Sequence, residues 1–296
     1  MATLKALRIR IGSVKSSEKI TGAMKMISSA KVHKSEQELK KLLPFRNQVK
    51  SIMGHLLATD VDFKSPLITP REVKRVGVVV FGSDDGLCGA YNINIFKRLL
   101  IELNSLREKY GQNVELHIYP VGKKIANAVR KLPSENMSVV SLPGIDSKMT
   151  GKTVNNFGHT LRDSFVSGEL DRIEVVFMRY VSRSKQVPEV EQLFPVSHEA
   201  IAGESRGLAD ANKLYIFEPD PNTIFNEVLP MFVLSTLQEI TIQNRASEQA
   251  ARVMAMQSAN DNAKKLLETL QIEFNKLRQE GITTELLDIL GGQTER

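Results

Sequence analysis

The residues that first suggest chemistry are a Gly-Lys-Thr triplet at positions 151–153, which follows an apolar run. In a phosphate-binding P-loop such a triplet ends the pattern GxxxxGK[ST], whose backbone amides surround the phosphates. That pattern requires a glycine at position 146, where this chain has Asp146, a carboxylate that would repel phosphate. The apolar run 175–178 ends in Arg179 instead of the carboxylate that would bind magnesium. We therefore expect a loop followed by a helix start near Thr150, with a stand-alone P-loop NTPase as the weaker alternative.

A second glycine-rich segment, GSDDGLCGAYN at residues 82–92, directly follows a predicted buried strand. Loops in this position often bind ligands in α/β proteins. The segment lacks GxGxxG spacing, and Asp84 and Asp85 disfavour an anion. Cys88 has no histidine close by in sequence that would activate its thiol. We expect a tight turn that begins the following helix.

No other group of residues has the composition of a catalytic or metal site. The chain has a single cysteine, which excludes an internal disulfide and fits a reducing compartment, and its five histidines are scattered. Neither a carboxylate pair nor a Ser/His/Asp set stands out. The sequence predicts no catalytic residue, no metal and no cofactor. It also contains no apolar stretch long enough for a transmembrane helix, and its first residues lack the apolar core of a secretory signal.

The net charge of +6 is concentrated at one end of the chain. Residues 1–57 hold 12 Lys/Arg against 3 Asp/Glu, residues 58–222 hold 21 of each, and residues 223–296 hold 7 against 10. A basic segment suggests an acidic partner, such as nucleic acid, lipid headgroups or an acidic protein surface, or simply a solvated helix face. A basic coiled-coil scaffold is therefore an alternative function. Residues 1–33 lack aromatic side chains on which single-stranded bases would stack.

The first segment, residues 1–57, has the apolar spacing of a long helix. Apolar residues follow one another at steps of three and four at Leu4, Leu7, Ile11 and Val14. The phase of this spacing then shifts at Ile20, Met24 and Ile27. The pattern predicts that the seam, meaning the stripe of residues that contacts the partner helix, is displaced there. A helix over this segment would be roughly 80 Å long.

The last segment, residues 222–296, shows the same spacing. Asn222 or Thr223 is a candidate N-cap, and Pro230 is expected to kink or start the main helix. The seam is predicted at Ala263, Leu267, Leu270, Phe274 and Leu277. Two consecutive glycines at 291 and 292 are expected to end the helix.

The middle segment, residues 58–221, alternates between strand and helix patterns. Arg75 to Phe81 is a nearly continuous apolar run, typical of a strand buried on both faces. Further strands are predicted at 114–121, 137–142 and 214–217, helices at 93–110, 123–132 and 152–167, and a hairpin over 172–181 and 186–196. The predicted fold class is α/β, with a Rossmann-like domain flanked by two long terminal helices that pair as an antiparallel coiled coil.

Four segments resemble one family, the gamma subunit of the F-type ATP synthase. They are LRIRIGSVKSSEKITGAMKMISSAK at 7–31, SDDGLCGAYN at 83–92, ASEQAARVMAM at 246–256 with Asp261 and Asn262, and ITTELLDILGG at 282–292. They lie at both ends and in the middle, so the resemblance covers essentially the whole chain. Asp85 stands where a basic residue is usual, and Gln293 where a small one is usual.

The resemblance implies a central rotor shaft and not an enzyme. Such a subunit couples rotation of the c-ring, driven by protons or sodium, to conformational changes in the catalytic beta subunits. The nucleotides would then bind to neighbouring subunits. The implied partners are three alpha and three beta subunits per gamma, the epsilon subunit and the c-ring; the delta subunit is a further candidate in the whole complex. Nucleic acid is not an implied partner.

The resemblance also implies three sets of contact residues. Contacts with beta subunits fall on Arg8, Arg10, Lys15, Lys19, Lys25, Arg252, Gln279, Thr283 and Glu285. An apolar tip in the ring's bearing falls on Ile282, Leu286, Leu287, Ile289 and Leu290, for which ordinary seam packing is the alternative. The side that faces the c-ring and epsilon falls on Lys31, Lys34, Lys40, Lys41 and Arg46.

The resemblance implies a peripheral protein on the cytoplasmic face of a bacterial plasma membrane, although a processed organellar chain would look alike. Chloroplast members carry an added cysteine-bearing segment before the last strand. The corresponding residues 197–213 are few and contain no cysteine, so redox control by that route is not expected.

Overall fold

The computed structural model describes residues 4–59, 61–132, 136–197, 200–201 and 216–293. Contacts between Cα atoms divide the chain into two compact units. We call Met1–Ser29 with Arg252–Arg296 the two-helix unit, and Ala30–Ala251 the sheet unit. The predicted division at residues 57 and 221 follows helix ends instead, and it stays a prediction.

The two long terminal helices are confirmed. Helix α1 runs over Leu4–Leu57 and helix α5 over Pro221–Gln293, so each contributes residues to both units. Pro44 lies inside α1 and Pro230 inside α5. None of the helices in the described residues is both long and apolar enough to cross a membrane.

The two ends of α5 differ from the sequence-based prediction. Asp220 caps the helix: its carboxylate accepts the Thr223 N–H (3.0 Å) and hydroxyl (2.6 Å), and Pro221 occupies the first helical position. Asn222 accepts instead from the Lys64 N–H (3.0 Å). The predictions that residue 222 or 223 caps the helix, and that Pro230 starts it, are therefore wrong. Both glycines predicted to stop the helix lie inside it, and its described end, Gln293, comes one residue after them.

The sheet unit contains one five-stranded sheet, as the strand and helix patterns predicted. Its strands are β1 Arg75–Phe81, β2 Glu115–Val121, β3 Met137–Val139, β4 Arg172–Tyr180 and β5 Gln186–Phe194, in the order β3-β2-β1-β4-β5. All neighbours pair in parallel except β4 and β5, which form the predicted antiparallel hairpin. Of the predicted strand at 214–217, residues 214–215 lie outside the described residues, and 216–217 are not in a strand.

Helices cover both faces of this sheet. The other helices of the sheet unit with described bounds are α2 Tyr91–Tyr110, α3 Lys123–Val129 and α4 Gly151–Val166. One face packs on α4 and on the sheet-unit parts of α1 and α5, through residues such as Met53, Phe157 and Leu237. The other face packs on α2 and α3 through residues such as Ile95 and Ile125. Parallel strands are covered on both faces in this way, which explains their continuous apolar runs.

In the two-helix unit, α1 and α5 run antiparallel, as predicted. The Arg8 guanidinium lies 5.8 Å from the centre of the Phe274 ring, and Asn260 donates to the Glu18 carbonyl (2.7 Å). A later residue of α1 therefore meets an earlier residue of α5. The predicted α5 seam from Ala263 to Leu277 is buried or half-buried, which confirms its phase.

The predicted phase shift in α1 does not occur. Ile20 and Ile27 are 59% and 57% exposed, so they do not form a displaced seam. The original spacing instead continues through four polar residues that are buried or half-buried: Glu18, Thr21, Lys25 and Ser28. Of the predicted displaced seam only Met24 is half-buried; Ile20 and Ile27 lie on the outer face, and most of the seam residues in this stretch are polar.

Candidate functional site

The two glycine-rich loops meet at a carboxylate. Asp84 accepts hydrogen bonds from the Lys123 N–H (3.0 Å), the Ser147 N–H (3.2 Å) and the Ser147 hydroxyl (2.8 Å). The Gly-Lys-Thr triplet forms the first turn of α4, and Lys148 next to this loop pairs with Asp85 (3.4 Å). A phosphate placed here would face the carboxylates of Asp84 and Asp85, so the arrangement does not resemble a P-loop.

Cys88 has a structural environment in the same turn. Its side chain is buried, with Sγ 3.3 Å from Asn92 Nδ2 and 3.8 Å from Ser83 Oγ. The Ser83 N–H in turn donates to Asn92 Oδ1 (3.1 Å). These contacts close the turn that begins α2, as predicted. Within the described part of the chain, no three His, Cys, Asp or Glu side chains lie close enough together to hold a metal ion.

The nine residues predicted to contact beta subunits lie in the two-helix unit. Six are exposed, and the other three either contact another side chain or are partly or largely buried. Arg10, Lys15, Lys19, Gln279, Thr283 and Glu285 are exposed. Arg8 is exposed but stacks on Phe274, Lys25 occupies a half-buried seam position, and Arg252 is only 6% exposed. The Arg252 side chain is therefore largely removed from solvent, and that of Lys25 partly so. The Thr283 hydroxyl donates to the Gln279 carbonyl (2.9 Å) one turn earlier.

The apolar tip is exposed in the described part of the two-helix unit. Its members are 50–63% exposed: Ile282, Leu286, Leu287, Ile289 and Leu290. At 3.6 residues per turn, Leu286 and Leu290 lie opposite to the seam of Leu270, Phe274 and Leu277, and the other three lie to either side of that seam. Their exposure disfavours ordinary seam packing within this chain, and the bearing role stays a prediction.

A second apolar surface was missed by the sequence analysis. Ile9, Ile20 and Ile27 are 57–63% exposed. Their spacings of 11 and 7 residues are close to whole numbers of helical turns, so the three share one outer face of α1. The spacing of these isoleucines is present in the sequence, but the heptad pattern placed Ile20 and Ile27 in the predicted seam.

The five cations predicted to face the c-ring and epsilon do not share one environment. Lys31, Lys34, Lys40 and Lys41 are exposed on α1. Arg46 instead forms an ion pair with Glu239 of α5, and both side chains are largely buried. Arg46 is therefore not available as a surface cation.

This ion pair belongs to a buried charge cluster that the sequence analysis also missed, consisting of Arg46, Lys50, Glu191 and Glu239. Lys50 is only 2% exposed and lies 6.0 Å from the Phe232 ring centre. Burial, and then the neighbouring Arg46, lower the pKa of Lys50 to about 8, against the opposing effects of Glu239 and Glu191. Burial likewise raises the pKa of the Glu191 carboxyl. The cluster joins α1, α5 and β5 within the sheet unit.

Two further polar contacts hold α1 within the sheet unit. The Tyr180 hydroxyl of β4 donates to Glu36 (2.6 Å), and this bond lowers the pKa of the Glu36 carboxyl. The Arg245 guanidinium of α5 donates to Glu38 (3.0 Å). Each pair is more than 140 residues apart in sequence, so no local pattern could have indicated it.

Comparison with known proteins gives a match over nearly the whole chain. A family model described as ATP synthase matches residues 3–294. The chain is 37% identical to the ATP synthase gamma chain of Bacteroides thetaiotaomicron, with 100% of both chains covered. It is 34% identical to that of Cupriavidus pinatubonensis, with 99% of both covered.

The chain belongs to the ATP synthase gamma chain family. Solved structures agree with this fold. One is a chain of the Euglena gracilis mitochondrial ATP synthase, OSCP/F1/c-ring, with a TM-score of 0.65 and 21% identity, covering 98% of this chain and 93% of that one. Another is from the rotor of the same enzyme, with a TM-score of 0.60 and 19% identity, covering 94% and 98%.

The buried lysine gives this gamma chain an unusual expected pH dependence. Between pH 8 and about 10.4 the unfolded chain holds a Lys50 proton that the native chain has lost, so stability should rise with pH in that window. We expect a gain of about 2 kcal/mol in the free energy of unfolding. Urea unfolding of the wild type and of Lys50→Met at pH 7.5 and 9.5 measures it.

The gain should be absent in Lys50→Met, and equal slopes in the two proteins would contradict the assignment to Lys50. The measurement should stop below pH 10. Burial and the bond to Glu36 raise the pKa of Tyr180 to about 12, so tyrosine ionisation lowers stability above pH 10.

Proposed function

We propose that this chain is the central rotor shaft of an ATP synthase, coupling c-ring rotation driven by protons or sodium to conformational changes in catalytic beta subunits. The observation that carries the proposal is full-length membership of the gamma chain family. The antiparallel pair with an exposed apolar tip on α5 supports it, because such a tip has the surface of a bearing. The Euglena chain of similar fold is itself described as part of a rotor.

The mechanism follows from symmetry. A single shaft inside a ring of three alpha and three beta subunits presents a different face to each beta subunit. Each catalytic site is then biased toward a different conformation, and rotation exchanges the biases. A shaft can do this only through contacts whose free energy differs between beta conformations. The chain itself would be non-catalytic, with nucleotides bound on its neighbours.

The exposed side chains of the two-helix unit are the proposed beta contacts. Arg10, Lys15 and Lys19 offer positive charge to acidic segments, and Gln279, Thr283 and Glu285 offer polar groups near the tip. Exposed ion pairs contribute about 1 kcal/mol or less each, so they would adjust the coupling. The roles of Arg8, Lys25 and Arg252 toward beta are proposed only for the parts of their side chains that remain accessible.

The sheet unit is the proposed contact with the c-ring and the epsilon subunit. Four exposed lysines on α1 would face a polar c-ring surface or lipid headgroups: Lys31, Lys34, Lys40 and Lys41. Arg46 is better assigned to holding α1 against α5. The proposed location is peripheral, on the cytoplasmic face of a bacterial plasma membrane, with delta as a further partner in the whole complex.

Co-purification tests the proposal directly. The tagged chain is co-expressed with the alpha and beta subunits encoded by the same organism, and subunit ratios are measured by native mass spectrometry. We expect a 3:3:1 complex that hydrolyses ATP, while the chain alone does not. ATP hydrolysis by the chain alone, or purification without alpha and beta, would reject the rotor function.

The tip gives a second, quantitative prediction. Leu286→Asp combined with Leu290→Asp should weaken binding of the chain to the alpha–beta ring about thirtyfold, because each leucine loses about 1 kcal/mol of apolar burial. Titration of labelled chain into the ring measures the dissociation constant. The matched control, Gln271→Asp with Asn275→Asp, adds the same charge at exposed positions without removing apolar surface. Equal weakening by both pairs would indicate a charge effect and not a bearing.

A further inference from the structure

In the two-helix unit the α1 side of the seam changes from mostly apolar to mostly polar opposite Asn260. On its tip side the α5 seam is apolar or alanine, from Ala263 to Leu277. On its other side the α1 seam is polar from Glu18 to Ser28. Apolar seam positions repeat every seven residues and do not distinguish one alignment of two helices from another, whereas a buried polar residue does.

Asn260 is a buried polar residue whose contacts distinguish one alignment of the two helices from another. It is 7% exposed, and its amide donates to the backbone carbonyl of Glu18 (2.7 Å), with Thr21 Oγ1 at 3.3 Å. The Thr21 hydroxyl also lies within 3.0 Å of the same carbonyl. A side chain that reaches a helix backbone requires close approach of the two helices.

Gly22 provides that close approach. A Cβ at this position would lie 3.3 Å from Asn260 Nδ2, tighter than nine in ten real Cβ contacts, so the amide would have to move by a few tenths of an ångström. Gly12, on the same helix, offers the contrast, because a Cβ there would meet nothing within 4 Å. Glycine is unfavourable inside a helix, but at position 22 the absence of a side chain leaves room for the Asn260 amide.

We propose that Asn260, seated on Gly22, is a positioning residue that fixes the alignment of α1 against α5 in the polar part of the seam. It acts through the α1 backbone. When the alignment is fixed, the outer faces of α1 and α5 rotate together. This consequence for rotation rests on the proposed function, whereas the proposed alignment does not.

Hydrogen exchange of the backbone amides at residues 14–29 in the full chain tests the alignment. Asn260→Asp keeps the size of the side chain but cannot donate to the Glu18 carbonyl, and it should speed exchange about tenfold. The matched control Asn275→Asp, at an exposed position, should change it less than twofold. Equal effects of the two substitutions would overturn the proposal.

Substitution of Gly12 and Gly22 gives a second test, in which the expected result for Gly22 is opposite to the effect of helix propensity alone. Alanine favours a helix, so Gly12→Ala should slow exchange at these amides. Gly22→Ala should speed it, and should do so only while Asn260 is present, so that the effect disappears in Gly22→Ala with Asn260→Ala. Slower exchange in Gly22→Ala alone would overturn the proposal.

Pumping of the coupling ion, proton or sodium, per ATP hydrolysed, in inverted membrane vesicles carrying the whole complex, tests the positioning role. We expect about a threefold loss in Asn260→Asp with hydrolysis within twofold of wild type. Altered exchange with unchanged pumping would overturn the positioning role. If the wild-type chain does not assemble at all, the proposed function fails, while the exchange result still decides the alignment.

Discussion

Glu239→Gln is expected to lower the free energy of unfolding by about 3 kcal/mol, the lower part of the range for breaking a buried ion pair from one side. The carboxylate is the partner of Arg46, and it also opposes the lowering of the pKa of Lys50. Glutamine preserves the shape and removes the charge, so the largely buried Arg46 guanidinium then faces a neutral side chain. Urea unfolding of the full chain at pH 7.5 measures the loss.

The matched control is Glu227→Gln, an exposed glutamate on the same helix, for which we expect a change below about 0.5 kcal/mol. Equal losses for the two substitutions would mean that the cluster is solvated and contributes little. A raised apparent pKa of Lys50 is not expected in Glu239→Gln, because the removed charge is one that favours the protonated amine. A large loss would identify this cluster as a main attachment between α1, α5 and the sheet.

Gly122→Ala should cost a comparable amount, about 3 kcal/mol, for a different reason. Gly122 has φ +115°, a conformation that L-residues rarely adopt. A Cβ there would also lie 3.0 Å from the carbonyl carbon and oxygen of Gly82. Those atoms belong to the backbone of the neighbouring loop, which the Gly82 N–H ties to the Val121 carbonyl (2.8 Å), so they cannot move aside cheaply. Thermal and urea unfolding of the full chain measure the cost.

Gly111→Ala separates the two contributions to that cost. Its φ of +94° is similarly unfavourable, but a Cβ there would meet nothing within 4 Å. We expect a loss of about 1–2 kcal/mol, from backbone strain alone. If Gly111→Ala and Gly122→Ala cost the same, the approach of the two loops is not tight and the steric contribution is absent.

The glycines in these loops explain why the sequence resembles that of a nucleotide-binding site. Glycines after strands β1 and β2 are needed because the two loops pass within van der Waals contact of each other and of α3; a Cβ at Gly82 would lie 2.6 Å from Ile125. The same composition serves phosphate binding in other α/β proteins. Here the carboxylate of Asp84 occupies the space between the loops and satisfies their donors.

Some of the structure followed from the sequence alone. The heptad spacing at both ends, the continuous apolar run at Arg75–Phe81 and the order of strands and helices predicted the fold class, because local periodicity reports which face of an element is buried. The four family segments predicted the family. The apolar tip was also visible in the sequence, although its orientation away from the seam was not.

The tertiary structure alone decided which polar groups meet. Glu18 with Asn260, Glu36 with Tyr180, and Arg46 with Glu239 join residues that are far apart in the chain. Periodicity marks apolar faces, so a seam that continues through Glu18, Thr21, Lys25 and Ser28 is invisible to it. The position of each such pair depends on how two separate elements align in space, and that alignment is fixed by packing and not by local sequence.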